Sequence, residues 1–248
     1  MNNIIQFINV TKRYNDLKAL NKSTFNVKIN SFTALAGNNG SGKTTTINIL
    51  CNLIRYDSGE VNIFGNRIVS NDNHYRSRFG IVLCNSYAIE VFNISEYLKF
   101  VCKFQNVPSD KAKSRIEDLI ELFDMSAVRK KPISSLSSGM KMCVSLAAAL
   151  IHDPEILVFD EPFIHLDIEN QEKVISILEG LRSKKTLFIT SHNLELVTRL
   201  CTHFLIIRNG EIISEIEKVK GDTETILKER IKSNIIRKDK NYHLDWLM

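Results

Sequence analysis

A glycine-rich octapeptide near the N-terminus has the residue types needed to hold a polyphosphate. It reads Gly37-Asn38-Asn39-Gly40-Ser41-Gly42-Lys43-Thr44 and fits the pattern G-x-x-x-x-G-K-[ST]. Its glycines allow the backbone to curl so that successive N–H groups point at phosphate oxygens, and a following helix adds the positive end of its dipole. Lys43 is predicted to neutralise the β- and γ-phosphates, the Thr44 hydroxyl to bind Mg²⁺, and Thr45 to reach a further phosphate oxygen.

Two consecutive acidic residues, Asp160 and Glu161, follow the short apolar stretch Ile156–Phe159. A P-loop needs a second ligand for its metal ion, and Asp160 is predicted to supply it. Glu161 is predicted to face the γ-phosphate, where a carboxylate can orient the attacking water or accept its proton as a general base. Acidic residues at a strand end are often only structural, but two in succession in a P-loop protein favour catalysis.

Strands and helices must bring these residues to one place. The apolar run Phe32–Ala36 predicts a buried strand that leads into the glycine loop, and Thr44–Leu53 has its apolar residues at helical spacing. Ile156–Phe159 and Thr186–Thr190 predict two more buried strands with a helix between them. Alternating strands and helices predict a parallel sheet that is covered on both faces.

Other segments predict elements around this core. Ile4–Val10 and Phe25–Ile29 alternate apolar and polar residues, as antiparallel strands do, and Asn209-Gly210 predicts a closing hairpin turn. A helical pattern occupies the region of about 86–150. The predicted fold class is therefore α/β: a P-loop NTPase core with a parallel sheet, an N-terminal antiparallel β-subdomain and an inserted α-helical subdomain.

The predicted domain organisation is one phosphate-binding domain over 1–217, with the helical subdomain of about 86–150 inserted in it, and a short C-terminal appendage over 218–248. The appendage is rich in charge, and its apolar residues predict one amphipathic helix lying on the main domain; they are Ile226, Leu227, Ile231 and Ile235. Docking on a membrane surface or on a partner protein is the alternative interpretation of this segment.

Composition narrows the class of protein. The chain has 248 residues, of which 44% are hydrophobic and 25% charged, as in a soluble globular protein. Its apolar runs are far shorter than the roughly 18 to 20 residues that cross a bilayer, and the N-terminus lacks the pattern of a signal peptide. We therefore expect a cytoplasmic protein whose membrane role, if any, is peripheral. The formal net charge of +5 is modest for this length, and no nucleic-acid partner is expected.

A second candidate anion site lies in Leu136-Ser137-Ser138-Gly139-Met140-Lys141. Ser137, Ser138 and Gly139 are predicted to open a helix that continues to Leu150, which gives a second helix N-terminus able to bind an anion. Alone, this segment is only a polar helix start. Together with the glycine loop and the two acidic residues, it makes the sequence resemble the ATP-binding subunits of ABC transporters, up to about Ile216. The resemblance implies that Ser137, Ser138 and Gly139 face the γ-phosphate of ATP held by another subunit.

The same resemblance implies roles for residues that the physical argument alone leaves open. Tyr14 corresponds to the aromatic residue that stacks on adenine, and His192 to the switch histidine that contacts the γ-phosphate. Leu166-Asp167 matches the family's D-loop, where His165 replaces the usual glycine.

One motif departs from the family's pattern. Cys84 stands where the family has a glutamine that reaches Mg²⁺ and the attacking water, and neighbouring Asn85 is the amide able to replace it as a metal contact. Either Asn85 covers that role with a shifted backbone, or the metal contact there is weaker.

The function implied by the resemblance is that of an ATP-hydrolysing motor subunit with Lys43, Glu161 and His192 as catalytic residues. Such a subunit dimerises on ATP, with itself or with a related ATP-binding subunit. It drives export of an unidentified substrate through a separate integral membrane permease, from the cytoplasmic face of the cell membrane. ATP and Mg²⁺ are the implied cofactors.

Two alternatives share these motifs. Soluble ABC-type ATPases that act on ribosomes or DNA usually carry two ATP-binding halves or long coiled-coil insertions, and neither is evident here. A degenerate nucleotide sensor is suggested by Cys84 and His165, but the intact Lys43, Asp160 and Glu161 argue against it.

Overall fold

Ten strands form two sheets across the residues that the computed structural model describes, which are 3–68, 75–84 and 88–235. The strands are β1 (Asn3–Tyr14), β2 (Leu17–Lys28), β3 (Phe32–Ala36), β4 (Ser58–Ile63), β5 (Asn66–Arg67), β6 (Phe79–Val82), β7 (Ile156–Asp160), β8 (Thr186–Thr190), β9 (His203–Arg208) and β10 (Glu211–Glu217).

Seven α-helices lie within the same described ranges. They are α1 (Lys43–Leu50), α2 (Ile94–Phe104), α3 (Ser109–Leu122), α4 (Ser138–Leu150), α5 (Ile168–Gly180), α6 (Leu194–Leu200) and α7 (Glu224–Ile235). No described helix combines the length and the apolar composition that crossing a membrane requires.

The larger sheet has the strand order β10-β9-β3-β8-β7-β6, and all neighbours are parallel except β10, which runs antiparallel to β9. Every residue of β3, β7 and β8 is buried, because helices or the second sheet cover both faces. Parallel strands end at the same edge of a sheet. The P-loop after β3, Asp160 at the end of β7 and Thr190 at the end of β8 therefore meet at one edge.

The two faces of this sheet belong to different hydrophobic clusters. Alternate side chains of each strand point to opposite faces, so Phe159 and Ile189 join the cluster that contains helices α2 to α7. Val158 and Phe188 join the other cluster, which contains α1 and the antiparallel sheet. Packing on both faces holds the strand ends in place.

The smaller sheet is antiparallel, with the order β2-β1-β4-β5. Its aromatic residues join it to the larger sheet, since the ring of Phe25 stacks on Phe7 at 4.5 Å and on Phe188 at 5.8 Å between centroids. The backbone N–H of Asn21 also donates to the carbonyl oxygen of Gly210 at 2.9 Å. The β1–β2 hairpin thus lies directly beside the P-loop edge of the main sheet.

The predicted fold class agrees with these elements, but several boundaries differ. The first helix spans Lys43–Leu50 rather than Thr44–Leu53, and Leu53 is largely exposed beyond its end. The N-terminal strands are longer than predicted because the hairpin continues past its apolar residues. The strands β4, β5 and β6 were not predicted. The Asn209-Gly210 turn is confirmed, with φ values of 50° and 78°.

The C-terminal helix α7 packs against α6, β9 and β10. Leu227 and Ile231 are fully buried within the main cluster, and Ile235 packs at its margin. The prediction that Ile226 shares this buried face is wrong. Ile226 directly precedes Leu227, so the helix turns it by about 100° away from the core, and it is exposed.

Candidate functional site

The P-loop, residues 37–44, connects β3 to α1 in a conformation that depends on glycine. Gly40 and Gly42 have φ values of 74° and 111°, which side-chain-bearing residues rarely adopt. A Cβ atom on Gly42 would also lie 2.6 Å from the carbonyl oxygen of Ala19 in β2. The loop is therefore pressed against the β1–β2 hairpin, and its backbone N–H groups lie at the start of α1.

Lys43 is the first residue of α1, and its side chain folds back over the loop. Its Nζ donates hydrogen bonds to the carbonyl oxygens of Gly37 at 2.8 Å and Asn38 at 3.1 Å. Burial lowers the pKa of Lys43, while the charges of Glu161 and Asp160 act in the opposite direction. The ammonium group therefore lies between the loop and two carboxylates, in position to hold an anion.

The residues on either side of Lys43 differ in exposure. Thr44 is exposed on the first turn of α1, Thr45 is half-buried, and Thr46 is buried with its hydroxyl donating to the carbonyl oxygen of Gly42 at 2.9 Å. Ser41 is buried, and within the described residues its Oγ has no hydrogen-bond partner. The loop thus has one hydroxyl group at the surface, that of Thr44, and one in the interior, that of Ser41.

Asp160 is fully buried, and Thr190 holds it in place. The Thr190 hydroxyl donates to Oδ1 of Asp160 at 2.5 Å and accepts the backbone N–H of Glu161 at 3.1 Å. The two residues are register partners on β7 and β8. Sequence reasoning missed Thr190, because only the parallel register places this hydroxyl opposite the acidic pair.

Glu161 has a strained backbone, with φ of 51° outside the range that residues with side chains favour. Its Oε2 accepts the backbone N–H of His192 at 3.0 Å. Its Oε1 lies 3.1 Å from Nε2 of His192 but has no partner with hydrogen-bond geometry among the described residues. Burial raises the pKa of Glu161, against the lowering effects of His192 and Lys43. A buried carboxylate oxygen without a partner is available to a water molecule.

Tyr14 lies at the end of β1, on the hairpin that contacts the P-loop. Its ring is 45% exposed, and Lys12 Nζ lies 5.5 Å from the ring centroid. Leu20 of the same hairpin would contact a Cβ atom on Gly42 at 2.9 Å. The same hairpin thus carries an exposed aromatic residue and contacts the P-loop.

The second candidate anion site lies at the start of α4. Ser137 is the N-cap, and its hydroxyl accepts the backbone N–H of Met140 at 3.2 Å. Ser137 and Ser138 are exposed, whereas Gly139 approaches the D-loop so closely that a Cβ atom would lie 2.9 Å from the carbonyl oxygen of His165. Asp167 caps α5 by accepting the N–H of Asn170 at 2.8 Å. This segment therefore contacts the D-loop of its own chain.

Cys84 follows β6 and is partly exposed. Burial raises the pKa of its thiol, and the charges of Asp160 and Glu161 raise it further. The thiol is therefore close enough to the acidic pair to feel both charges. Asn85, the predicted metal contact, lies outside the described residues.

A family model described as "ABC transporter" matches residues 20–164 of this chain. Among curated relatives, the Nod factor export ATP-binding protein I of Burkholderia orbicola is 34% identical over 212 residues, covering 85% of this chain and 70% of that protein. The bacitracin transport ATP-binding protein BcrA of Bacillus licheniformis is 31% identical over 218 residues, covering 87% of this chain and 70% of that protein.

Solved structures have the same fold. A dimeric post-hydrolysis state of an ATP-binding cassette bound to ADP and Pi superposes with a TM-score of 0.80 at 24% identity, covering 87% of this chain and 99% of that one. The ATP-binding subunit of an ABC transporter gives a TM-score of 0.83 at 22% identity, covering 92% and 99%. The arrangement of sheet and helices is that of these cassettes.

Proposed function

This chain belongs to the ABC transporter family and is an ATP-binding ATPase, and from that premise we propose that it is the motor subunit of an exporter. It binds ATP with Mg²⁺, dimerises on ATP, and drives export of an unidentified substrate through a separate integral membrane permease. It would lie peripherally on the cytoplasmic face of the cell membrane. Support for export comes from the relatives, whose names include Nod factor export and bacitracin transport.

The P-loop edge of the sheet supplies the residues for phosphate binding. The backbone of 37–45 surrounds the phosphates, with Gly37, Asn38, Asn39, Gly40, Ser41, Gly42, Lys43, Thr44 and Thr45 as the contacting residues. Lys43 neutralises charge on the β- and γ-phosphates, and its buried position strengthens the Coulomb attraction because the local dielectric is lower than in water. Tyr14, on the adjacent hairpin, offers its exposed ring to adenine.

Mg²⁺ fits the donors that are present. Asp160 and Thr44 offer oxygen atoms, the ligands that Mg²⁺ prefers, and one or two protein oxygens plus phosphate oxygens and water are usual for this ion. Only Oδ1 of Asp160 accepts the Thr190 hydroxyl, which orients the carboxylate. When bound, Mg²⁺ would neutralise charge on the phosphates. Asn85 remains a proposed further metal contact.

The proposed ATPase mechanism rests on a single observation, which is the environment of the two carboxylate oxygens of Glu161. Its Oε2 is held by the backbone of His192, and its buried Oε1 has no hydrogen-bond partner among the described residues. We assign Oε1 to the attacking water, whose proton it accepts. The raised pKa of Glu161 brings its proton affinity closer to that needed for general-base catalysis near neutral pH. His192 holds Glu161 and contacts the γ-phosphate.

Two half-sites in one chain support a dimer. The P-loop edge carries the cation and the carboxylates, whereas Ser137, Ser138 and Gly139 form an exposed helix N-terminus without either. Head-to-tail pairing, with a second copy or with a related ATP-binding subunit, would place that N-terminus on the γ-phosphate held by the other P-loop.

An aromatic groove supports the proposal that the chain has a membrane partner. A cavity of about 760 Å³ lies between β6, α2 and α4, and its apolar lining includes Tyr97, Phe100 and Phe104. Phe104 is 73% exposed, and its ring stacks on Phe100 at 6.2 Å. Exposed clustered aromatics are typical of protein interfaces. We assign this groove to a cytoplasmic helix of the permease. The groove lies within the proposed ATP-binding domain of 1–217, which precedes the 218–248 appendage.

Replacing Glu161 with Gln tests the proposal. Glu161→Gln keeps the shape of the side chain but cannot accept the proton, so turnover should fall by roughly 10²- to 10⁴-fold. ATP binding should persist, and an ATP-bound dimer should accumulate on size-exclusion chromatography with light scattering. Unaltered protein with ADP is the matched control and should stay monomeric.

Two results would contradict the proposal. Undiminished hydrolysis by Glu161→Gln would remove the general-base role. ATPase activity that does not depend on protein concentration, in a chain that stays monomeric with ATP, would refute the two-copy site.

A further inference from the structure

The last turn of α7 forms one wall of a cavity beside the P-loop. The cavity has a volume of about 340 Å³ and is lined by residues 37–39 of the P-loop, by Ser191 and His192, and by Lys232 and Ile235 of α7. The C-terminal helix therefore contributes to the neighbourhood of the phosphate site, whereas the sequence predicted only that this helix lies on the main domain.

The sheet topology explains why α7 ends there. Strand β9 runs parallel to β3 and so ends at the P-loop edge, and β10 runs back to the opposite edge. Helix α7 follows β10 and packs on α6 and β9, which returns the chain to the P-loop edge. The C-terminal turn of α7 consequently lies beside the first residues of the loop.

The helix is held firmly in this position. Leu227 and Ile231 are fully buried in the main hydrophobic cluster. Arg208, at the end of β9, donates a hydrogen bond from Nη2 to the carbonyl oxygen of Asn234 in the last turn. Lys232 therefore projects from a fixed backbone at the cavity.

Among the described residues, no carboxylate forms an ion pair with the ammonium group of Lys232. The ion pairs of α7 within the described residues are Lys228 with Glu195 and Arg230 with Asp222, and neither includes Lys232. The part of the cavity lining that the structure describes holds amide, hydroxyl, imidazole and apolar groups but no carboxylate. A cation in a helix's last turn also stabilises the helix dipole, yet that function does not require a position facing the P-loop.

We propose that Lys232 is a further phosphate-binding residue, whose ammonium group contacts the terminal phosphate of ATP from the cavity beside the P-loop. This inference rests on the proposed function, since it takes the P-loop as the nucleotide site. The cavity adjoins His192, which the proposed mechanism places on the γ-phosphate, and ADP lacks that group. Lys232 therefore favours ATP over ADP, and links the C-terminal helix to the nucleotide state.

Nucleotide titrations of Lys232→Ala test this inference. They are made by calorimetry with Mg²⁺ and either ATP or ADP, in the Glu161→Gln background that prevents hydrolysis, at protein concentrations that keep the chain monomeric. Removing one charged contact should raise the Kd for ATP about three- to tenfold and leave the Kd for ADP within about twofold. Lys232→Arg should retain the preference for ATP.

Lys220→Ala is the matched control, because Lys220 is exposed and precedes α7 at the other end of the helix. It removes the same charge and should leave both Kd values unchanged. Equal losses for ATP and ADP, or no loss for either, would overturn the inference. A helix-dipole role alone would lower the unfolding temperature without changing the ratio of the two Kd values. Failure of the unaltered chain to bind either nucleotide would instead overturn the proposed function itself.

Discussion

The two half-sites of this chain are built in opposite ways. At the P-loop edge, Lys43, Asp160 and Glu161 are each at least nine-tenths buried, and strand-end hydrogen bonds fix their geometry. At the start of α4, Ser137 and Ser138 are exposed, and the helix N-terminus offers N–H groups, while Lys141 of its first turn is paired with Glu90. The first is organised before a ligand arrives. The second half-site can take part in binding only when another molecule presents the ligand to it.

This difference predicts that substitutions in the P-loop half-site change nucleotide binding in one chain, whereas those in the half-site at the start of α4 change pairing of two chains. The predictions below test that division.

Gly42→Ala should have the largest effect. A Cβ atom at φ of 111° would strain the backbone and would meet the carbonyl oxygen of Ala19 at 2.6 Å. We expect a loss of about 2–4 kcal/mol in the free energy of unfolding and at least about a tenfold loss in ATP affinity. Urea unfolding and ATP titration measure the two quantities.

Gly221→Ala is the matched control for backbone strain. Gly221 has φ of 102° but no atom within 4 Å of an added Cβ, and it lies outside the site. It should cost about 1–2 kcal/mol and leave ATP affinity unchanged. Equal costs for the two variants would mean that the contact between the hairpin and the P-loop is unimportant.

Thr190→Val should have the next largest effect. It removes the hydroxyl that donates to Asp160 and accepts from the backbone of Glu161. Loss of a buried hydrogen bond to a charged group should lower the free energy of unfolding by about 2 kcal/mol. The Mg²⁺ concentration needed for half-maximal ATPase activity should rise, because the Asp160 carboxylate is no longer oriented.

Thr186→Val, at the other end of β8, is its control. The Thr186 hydroxyl accepts the backbone N–H of Asn30 at 2.9 Å, far from the acidic pair. Thr186→Val should lower the free energy of unfolding by about 1 kcal/mol without changing the Mg²⁺ concentration needed for half-maximal activity. The same Mg²⁺ dependence in both variants would exclude a positioning role for Thr190.

Gly139→Ala should have a smaller effect, and on pairing. An added Cβ would lie 2.9 Å from the carbonyl oxygen of His165, so the start of α4 must shift slightly. We expect the ATP-induced dimer to weaken, at a cost of about 1 kcal/mol in the folded chain, while ATP affinity of the monomer is retained. Gly180→Ala, which has open space around it, should leave pairing intact. A reduced ATP affinity of the monomeric Gly139→Ala variant would contradict the proposed division of roles between the half-sites.

The smallest expected effect concerns the charge of Glu161. Burial raises the pKa of this carboxyl group in the folded chain above its value in the unfolded chain. As the pH rises through the interval between these two pKa values, the group ionises more readily in the unfolded chain, and the free energy of unfolding falls. Above that window, Glu161→Gln should therefore be more stable than the unaltered chain. The difference should vanish at acid pH, where both side chains are neutral. Chemical unfolding at both pH values measures it, and a less stable variant at neutral pH would contradict the desolvation argument.

Local patterns in the sequence predicted the elements that carry the site. The glycine loop lay between a buried apolar run and a helical pattern, and the acidic pair followed another apolar run, so the order of elements was readable. The boundary of α1 and the exposure of Ile226 were not, because helix ends and helix rotation depend on packing partners. Strand β5 has only two residues, and β4 has only two apolar residues, Val61 and Ile63, which are too few to reveal a period.

Contacts between distant segments lay beyond any local pattern. Thr190 lies opposite Asp160 because of the parallel register of β7 and β8. Lys232 lies beside the P-loop because β10 and α7 carry the chain to the far edge of the sheet and back. No spacing in the sequence encodes either neighbour.

The glycine-rich octapeptide, by itself, determined that this chain holds a polyphosphate, since glycine conformations and a helix start are local properties. The tertiary structure decided which side chains surround that loop. It buried Lys43 between the loop and two carboxylates, left one oxygen of Glu161 without a hydrogen-bond partner among the described residues, and kept Ser137 and Ser138 at the surface. Burial and register arise only when the sheet and helices pack together, and burial is what gives identical residue types different chemistry.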